Sequence, residues 1–202
     1  MESFLFPIKT FNEEDNLSSF VHLCPHMPSL NIDLFMAQLP APLQIISSIL
    51  KNSHDPQQLI THHRKFAKKM KQLKQICRHL LEKSPLERKQ EILAYLELLN
   101  LLDSLEEAAF RWKETLKGQV NEHPHQAVML NFIKELNDLL KNKIISSMII
   151  ENIKNEVEKL NSLKEKELDN WLQKTAYDRF VWFCEKTRDF AFEYQKTHLL
   201  KN

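Results

Sequence analysis

The sequence predicts an all-α protein: an antiparallel bundle of four to five long helices, preceded by a proline-rich N-terminal head of short helices. Three observations predict it. The 202-residue chain holds a single glycine, Gly118, whereas the tight turns of β-hairpins draw on residues that accept positive φ. Apolar residues recur at spacings of three and four over long stretches, the signature of helices with a buried face. Six of the eight prolines (Pro7, Pro25, Pro28, Pro40, Pro42 and Pro56) fall in the first 56 residues, leaving the remainder open to long helices. The expected division is a Pro-punctuated head over 1–55, packed on a bundle over 56–202.

Within the head, the prolines bound short helices at about 13–23, 29–39 and 42–52. A long helix is expected over 56–83, with Asp55 as N-cap and Pro56 at the first helical position. Its apolar seam is Leu59, His63, Phe66, Met70, Leu73, Cys77 and Leu80, an a/d-like spacing interrupted by one histidine. Ser84-Pro85-Leu86-Glu87 joins a capping serine, a proline at N1 and a glutamate at N3, and predicts the next helix start. That helix runs to about Leu116. Between Ile92 and Leu105 it is apolar on most sides, with a narrow polar stripe of Glu97, Asn100, Ser104 and Glu107, so it is expected at the centre of the bundle. Further helices are expected over about 125–142, 147–163 and 165–199, with a break near Asn142–Ser147.

Composition narrows the function classes. Apolar residues are 43% of the chain and charged residues 27%, nearly balanced at a net charge of +1. This argues for a buried core, against disorder and against a globally basic nucleic-acid binder. Cys24, Cys77 and Cys184 are an odd number far apart, which is no disulfide framework. MESFLFPIKTF does not read as a signal peptide, and no run approaches the ~20 apolar residues of a membrane span. A cytoplasmic or other reducing intracellular location is expected. Phosphate-cradling loops, dinucleotide fingerprints, GxSxG elbows and EF-hand loops all need glycines the chain lacks. No HExxH is present. The one Glu-x-x-His, Glu122 to His125, is interrupted by Pro124.

Four groups of residues are candidate sites. His22, Cys24 and His26 offer zinc-type ligands, but no fourth lies nearby and Pro25 prevents a helical histidine pair; they are weak metal candidates against an ordinary loop. His63 has no nucleophile or carboxylate spaced with it in sequence and reads first as a hydrogen-bonded core or interface residue. The helix over 57–83 carries eight cations against one acid, Glu82. Arg64, Lys68, Lys71 and Arg78 line the face opposite the seam, either as a solvated surface or as a site for anions or an acidic partner. Eight of the 18 aromatics lie in the last helix. There Trp171, Trp182 and Phe192 stand off the main apolar face, as a second core face or as a partner-binding stripe.

The expected function is a non-catalytic protein-interaction module: an adaptor, assembly factor, chaperone or secreted bacterial effector. The alternatives are a helical-bundle enzyme with a small-molecule or metal pocket, and a peripheral anionic-membrane binder acting through the basic helix. The expected partner is another protein, or a second copy bound through the C-terminal helix, with anionic lipid as the alternative. Nucleic acid is disfavoured, because no aromatics interleave with the basic residues. No cofactor is expected.

Overall fold

Proline sets where three of the long helices begin. A computed structural model describes residues 35–51, 55–116, 124–142, 150–156, 158 and 171–199. Its long helices are α1 (Pro40–Lys51), α2 (Pro56–Lys83), α3 (Leu86–Thr115), α4 (Pro124–Asn142) and α5 (Trp171–Leu199). Helices α1, α2 and α4 start on a proline, whose missing N–H has no intrahelical acceptor to lose and whose φ is already helical. At α2 the expected cap forms: Asp55 is extended (φ −105°, ψ 115°) and its Oδ1 accepts from the Gln57 N–H at 2.9 Å. The stretch 150–156 is also helical, and no strand occurs among the described residues. No helix among them is long and apolar enough to cross a membrane.

The start of α3 differs from expectation. Ser84 closes α2 instead, its N–H donating to the Leu80 carbonyl at 2.9 Å. Pro85 then occupies the position before α3 with no side-chain cap bond. Only two residues link these helices, so the residue read as an opening cap is still completing the preceding turn.

The short link makes α2 and α3 an antiparallel hairpin. Pairings along it confirm the direction: His63 meets Glu106 and Phe110, while Lys74, eleven residues further along α2, reaches back to Asp103. Helix α5 runs antiparallel to α3 as well. Glu97 and Leu101 of α3 share a groove with Phe192. At the other end, Lys113 of α3 bonds Gln126 of α4, beside His125, whose ring stacks on Phe180 at 4.3 Å.

Helix α3 touches α1, α2 and α5, and its contact with α5 is the most extensive among the described helices. Leu98, Leu99, Leu102, Leu105, Ala108 and Ala109 are fully buried. Opposite them, α5 supplies Phe180, Phe183, Phe190 and Tyr194. Burial on α3 is not complete all round, however. Leu93 is 51% exposed, and Leu96 and Leu101 are half-buried, so one side of the helix lacks a covering neighbour among the described residues.

All described residues belong to one compact unit, Asp33–Asn202. Helix α1, from the segment read as head, is part of it and packs on α2, α3 and α4. Residues 1–34 and 52–54 of that head lie outside the described residues, as do the ends of the helix expected over 147–163 and the start of the one expected from 165.

Leu102 has no accessible surface, and the helices packed on α3 cannot all close in on a void. Leu102→Ala is therefore expected to cost about 2–5 kcal/mol, lost transfer energy plus a cavity. Urea denaturation measures it; a cost under about 0.5 kcal/mol, typical of a free surface site, would contradict the central placement of α3.

Candidate functional site

Helix α2 has two faces of opposite chemistry. Inward, Leu59, Phe66, Met70, Leu73, Cys77 and Leu80 are buried at the predicted seam positions. The one seam position that is not apolar, His63, is neither buried nor fully open: its side chain is 42% exposed. Its ring lies tilted on Phe110, with centroids 4.8 Å apart.

What holds the imidazole is Glu106, on the facing helix and only 3% exposed. Its Oε1 lies 2.9 Å from His63 Nδ1. Burying a carboxylate without a partner is costly, and His63 supplies the partner. Burial pushes the Glu106 carboxyl above its ordinary value; the hydrogen bond and charge of His63 pull it down, and Glu107 and Asp103 push it up. An ionised Glu106 accepts from Nδ1–H. With Nδ1 bonded to the carboxylate, Nε2 is the ring nitrogen away from that bond, on a side chain that is 42% exposed.

The carboxylates around this pair are themselves matched. Lys74 bonds Asp103, and Arg111 bonds Glu107 at 2.7 Å and Glu114 at 3.1 Å. The α2 cations divide in the same way. Lys69, half-buried, donates to Gln38 Oε1 at 3.0 Å. Arg64, Lys65, Lys68, Lys71 and Arg78 are exposed on the outer face. Thus all four residues predicted for the basic site lie on one exposed face.

The aromatic stripe on α5 separates into unlike environments. Trp171 opens the helix, with its side chain outside the described part. Trp182 is half-buried, with the Arg179 guanidinium 5.7 Å from its ring centroid, within cation–π range. Phe192 is 60% exposed and lines an open groove of about 410 Å³ with Leu101, Ile150 and Glu97. His22, Cys24 and His26 fall outside the described residues. Among the described residues, no three His, Cys, Asp or Glu side chains gather as metal ligands would. Burial pushes the Cys77 thiol up to about 12 and raises the Cys184 thiol too, so neither is an activated nucleophile.

Compared with protein-family models, with curated proteins and with solved structures, the chain matches none of them.

Glu106 was legible as a core position. Tyr95, Leu99, Leu102, Glu106, Ala109 and Lys113 follow a 4-3-4-3-4 spacing, and all are buried. A charged residue at such a position needs a partner, and His63 is the one polar residue on the seam facing it.

His63→Ala should therefore destabilise the fold by about 1–3 kcal/mol at neutral pH, the cost of leaving a buried acceptor unsatisfied. The sign of its pH dependence follows from the raised carboxyl. Without the imidazole, burial keeps the folded-state value above the unfolded one, so the folded protein binds the proton more tightly. Stability is then retained at low pH and lost as pH rises from the ordinary glutamate range through the folded value. Thermal melts from about pH 4 to about pH 8 should show a penalty that grows with pH, and Glu106→Gln in the same background should flatten it. A pH-independent penalty would show that Glu106 is not the group left unpaired.

Proposed function

We propose that this chain is a non-catalytic interaction module that docks an acidic protein through the outer face of α2. The observation that carries the reading is the division of cations on that helix. Lys69 and Lys74 are engaged by Gln38 and Asp103 within the molecule, while Arg64, Lys65, Lys68 and Arg78 are exposed on a helix whose other face is locked into the core. A row of cations on a rigid rod steers and orients an oppositely charged surface.

An acidic protein fits this face better than a lipid bilayer does. Interfacial membrane helices combine cations with a free apolar face. The apolar face of α2 is spent on the core, and Ile60, 44% exposed, is its one large apolar side chain open to solvent. A second contact at Phe192 is favoured by its exposure beside Leu101 in the α3–α5 groove. The buried free thiols of Cys77 and Cys184 accord with action in a reducing compartment.

The test compares wild type with Arg64→Glu/Lys68→Glu. Partners recovered from native lysate are quantified against salt, and vesicles containing phosphatidylserine are assayed in parallel. The expected result is at least about tenfold weaker partner binding in the variant, loss of wild-type binding as salt rises, and an unchanged melting temperature. Vesicle binding without a protein partner, or equal recovery by both proteins, would overturn the reading.

A further inference from the structure

We propose that His63 is a phosphoryl-acceptor site, taking a phosphoryl group on Nε2 from an acyl phosphate. The inference goes beyond docking and does not require the docked partner. It begins with the imidazole's fixed orientation. Glu106, nearly inaccessible, holds Nδ1 at 2.9 Å, and Phe110 supports the ring face. With the proton kept on Nδ1, the lone pair resides on Nε2 of a half-exposed side chain. A histidine so held by a carboxylate is fixed in tautomer and orientation, as a nucleophilic imidazole must be.

The surroundings select the electrophile. His63 lines neither the groove at Phe192 nor the one between α4 and 150–156. A half-exposed imidazole suits transfer from a small donor or from another protein's surface. The side chain one turn on is Ala67, small and exposed, which leaves room beside the ring. Arg64 follows His63 directly, and Lys68 stands one turn beyond Arg64, both exposed. Asp103 is paired with Lys74, and Glu107 and Glu114 share Arg111. Arg64 and Lys68 put a positive field on the exposed side of the helix that carries His63. Such a field favours a dianionic phosphoryl group and gives no advantage to an uncharged acyl group.

The step balances. The Nε2 lone pair attacks phosphorus, and the Nε2–P bond forms as the P–O bond to the acyl oxygen breaks. The carboxylate leaves with the electron pair. Nδ1 keeps its proton, and the positive charge gained by the ring is matched by the Glu106 carboxylate. No further reactant is needed. His63 is the nucleophile; Glu106 is a positioning residue.

The full chain is incubated with acetyl phosphate and, separately, with phosphoramidate, a small donor whose ammonia leaves in place of the carboxylate. Phosphorylated peptides are mapped by mass spectrometry, and the phosphohistidine isomer is read by phosphorus NMR. His62 and His79, on the same helix, serve as internal controls that need no variant. The expected result is labelling of His63 at least about tenfold faster than of either control, as the Nε2 isomer, lost in His63→Gln. Glu106→Gln should slow labelling and yield a mixture of Nδ1 and Nε2 isomers, which a merely structural role for Glu106 would not produce. Equal labelling of His62, His63 and His79 in the wild type, or labelling at Nδ1 of His63, would overturn the proposal. Docking fails separately, in the Arg64→Glu/Lys68→Glu binding assay, which uses no phosphoryl donor.

Discussion

The covering of α3 by α1, α2 and α5 is the constraint from which the rest of the structure follows. A helix with neighbours on several sides has few directions in which a polar side chain reaches water. Any charge on its inner faces must find a partner within the protein or impose a desolvation penalty of several kcal/mol. Two charged residues lie there. Lys113 is 6% exposed and donates to Gln126 at 2.9 Å. Glu106 is 3% exposed and meets His63. Each draws a side chain from a different neighbouring helix into a defined place, and each thereby helps fix the register of that helix against α3.

The same constraint makes α2 two-sided. One face must complete the covering of α3, and it uses every apolar seam position to do so. The charged residues are left to the flanks and the outer face. Those on the flanks reach polar groups of adjacent segments, as Lys69 does with Gln38, in the turn before α1, and Lys74 with Asp103 of α3. Those farthest from the seam, Arg64, Lys65, Lys68 and Arg78 among them, are exposed on the outer face. The positive surface is thus a geometric consequence of how α2 sits on the core, and His63 stands at its border, bonded inward and open outward.

Much of this was legible in the chain. Prolines and a capping aspartate mark the helix starts because their physics is local: a missing N–H at Pro56 and Pro124, a side-chain acceptor at Asp55. The seam of α2 is legible because burial and helical period coincide there. The reading fails where one residue could serve either of two neighbours. Ser84 has the look of an opening cap for α3, yet it closes α2. The exposure of Leu93 and Phe192 is equally hidden, since an apolar residue at the edge of a stripe carries no mark of whether another helix covers it. Trp182 and Phe192 look alike as aromatics off the main face, but only the packing of α5 against its neighbours leaves one half-buried and the other open.

The Glu106–His63 pair lies between these extremes. Glu106 and His63 each stand 21 residues from the Ser84-Pro85 link, one on either side. In an antiparallel hairpin with so short a link, such residues are placed at the same level. Both also occupy apolar-phase positions of their helices. Two polar residues that violate the pattern at matching heights are therefore one feature and not two defects. Stability alone does not require it, since replacing a buried ion pair by apolar side chains of similar volume is often neutral or favourable. What the pair provides that apolar residues could not is an imidazole held in one orientation with one nitrogen toward solvent. Glu106 could only do this from a buried position, because a carboxylate exposed to water would compete with solvent for Nδ1 and leave the ring free to turn. The burial that makes the pair costly is the same burial that fixes the imidazole.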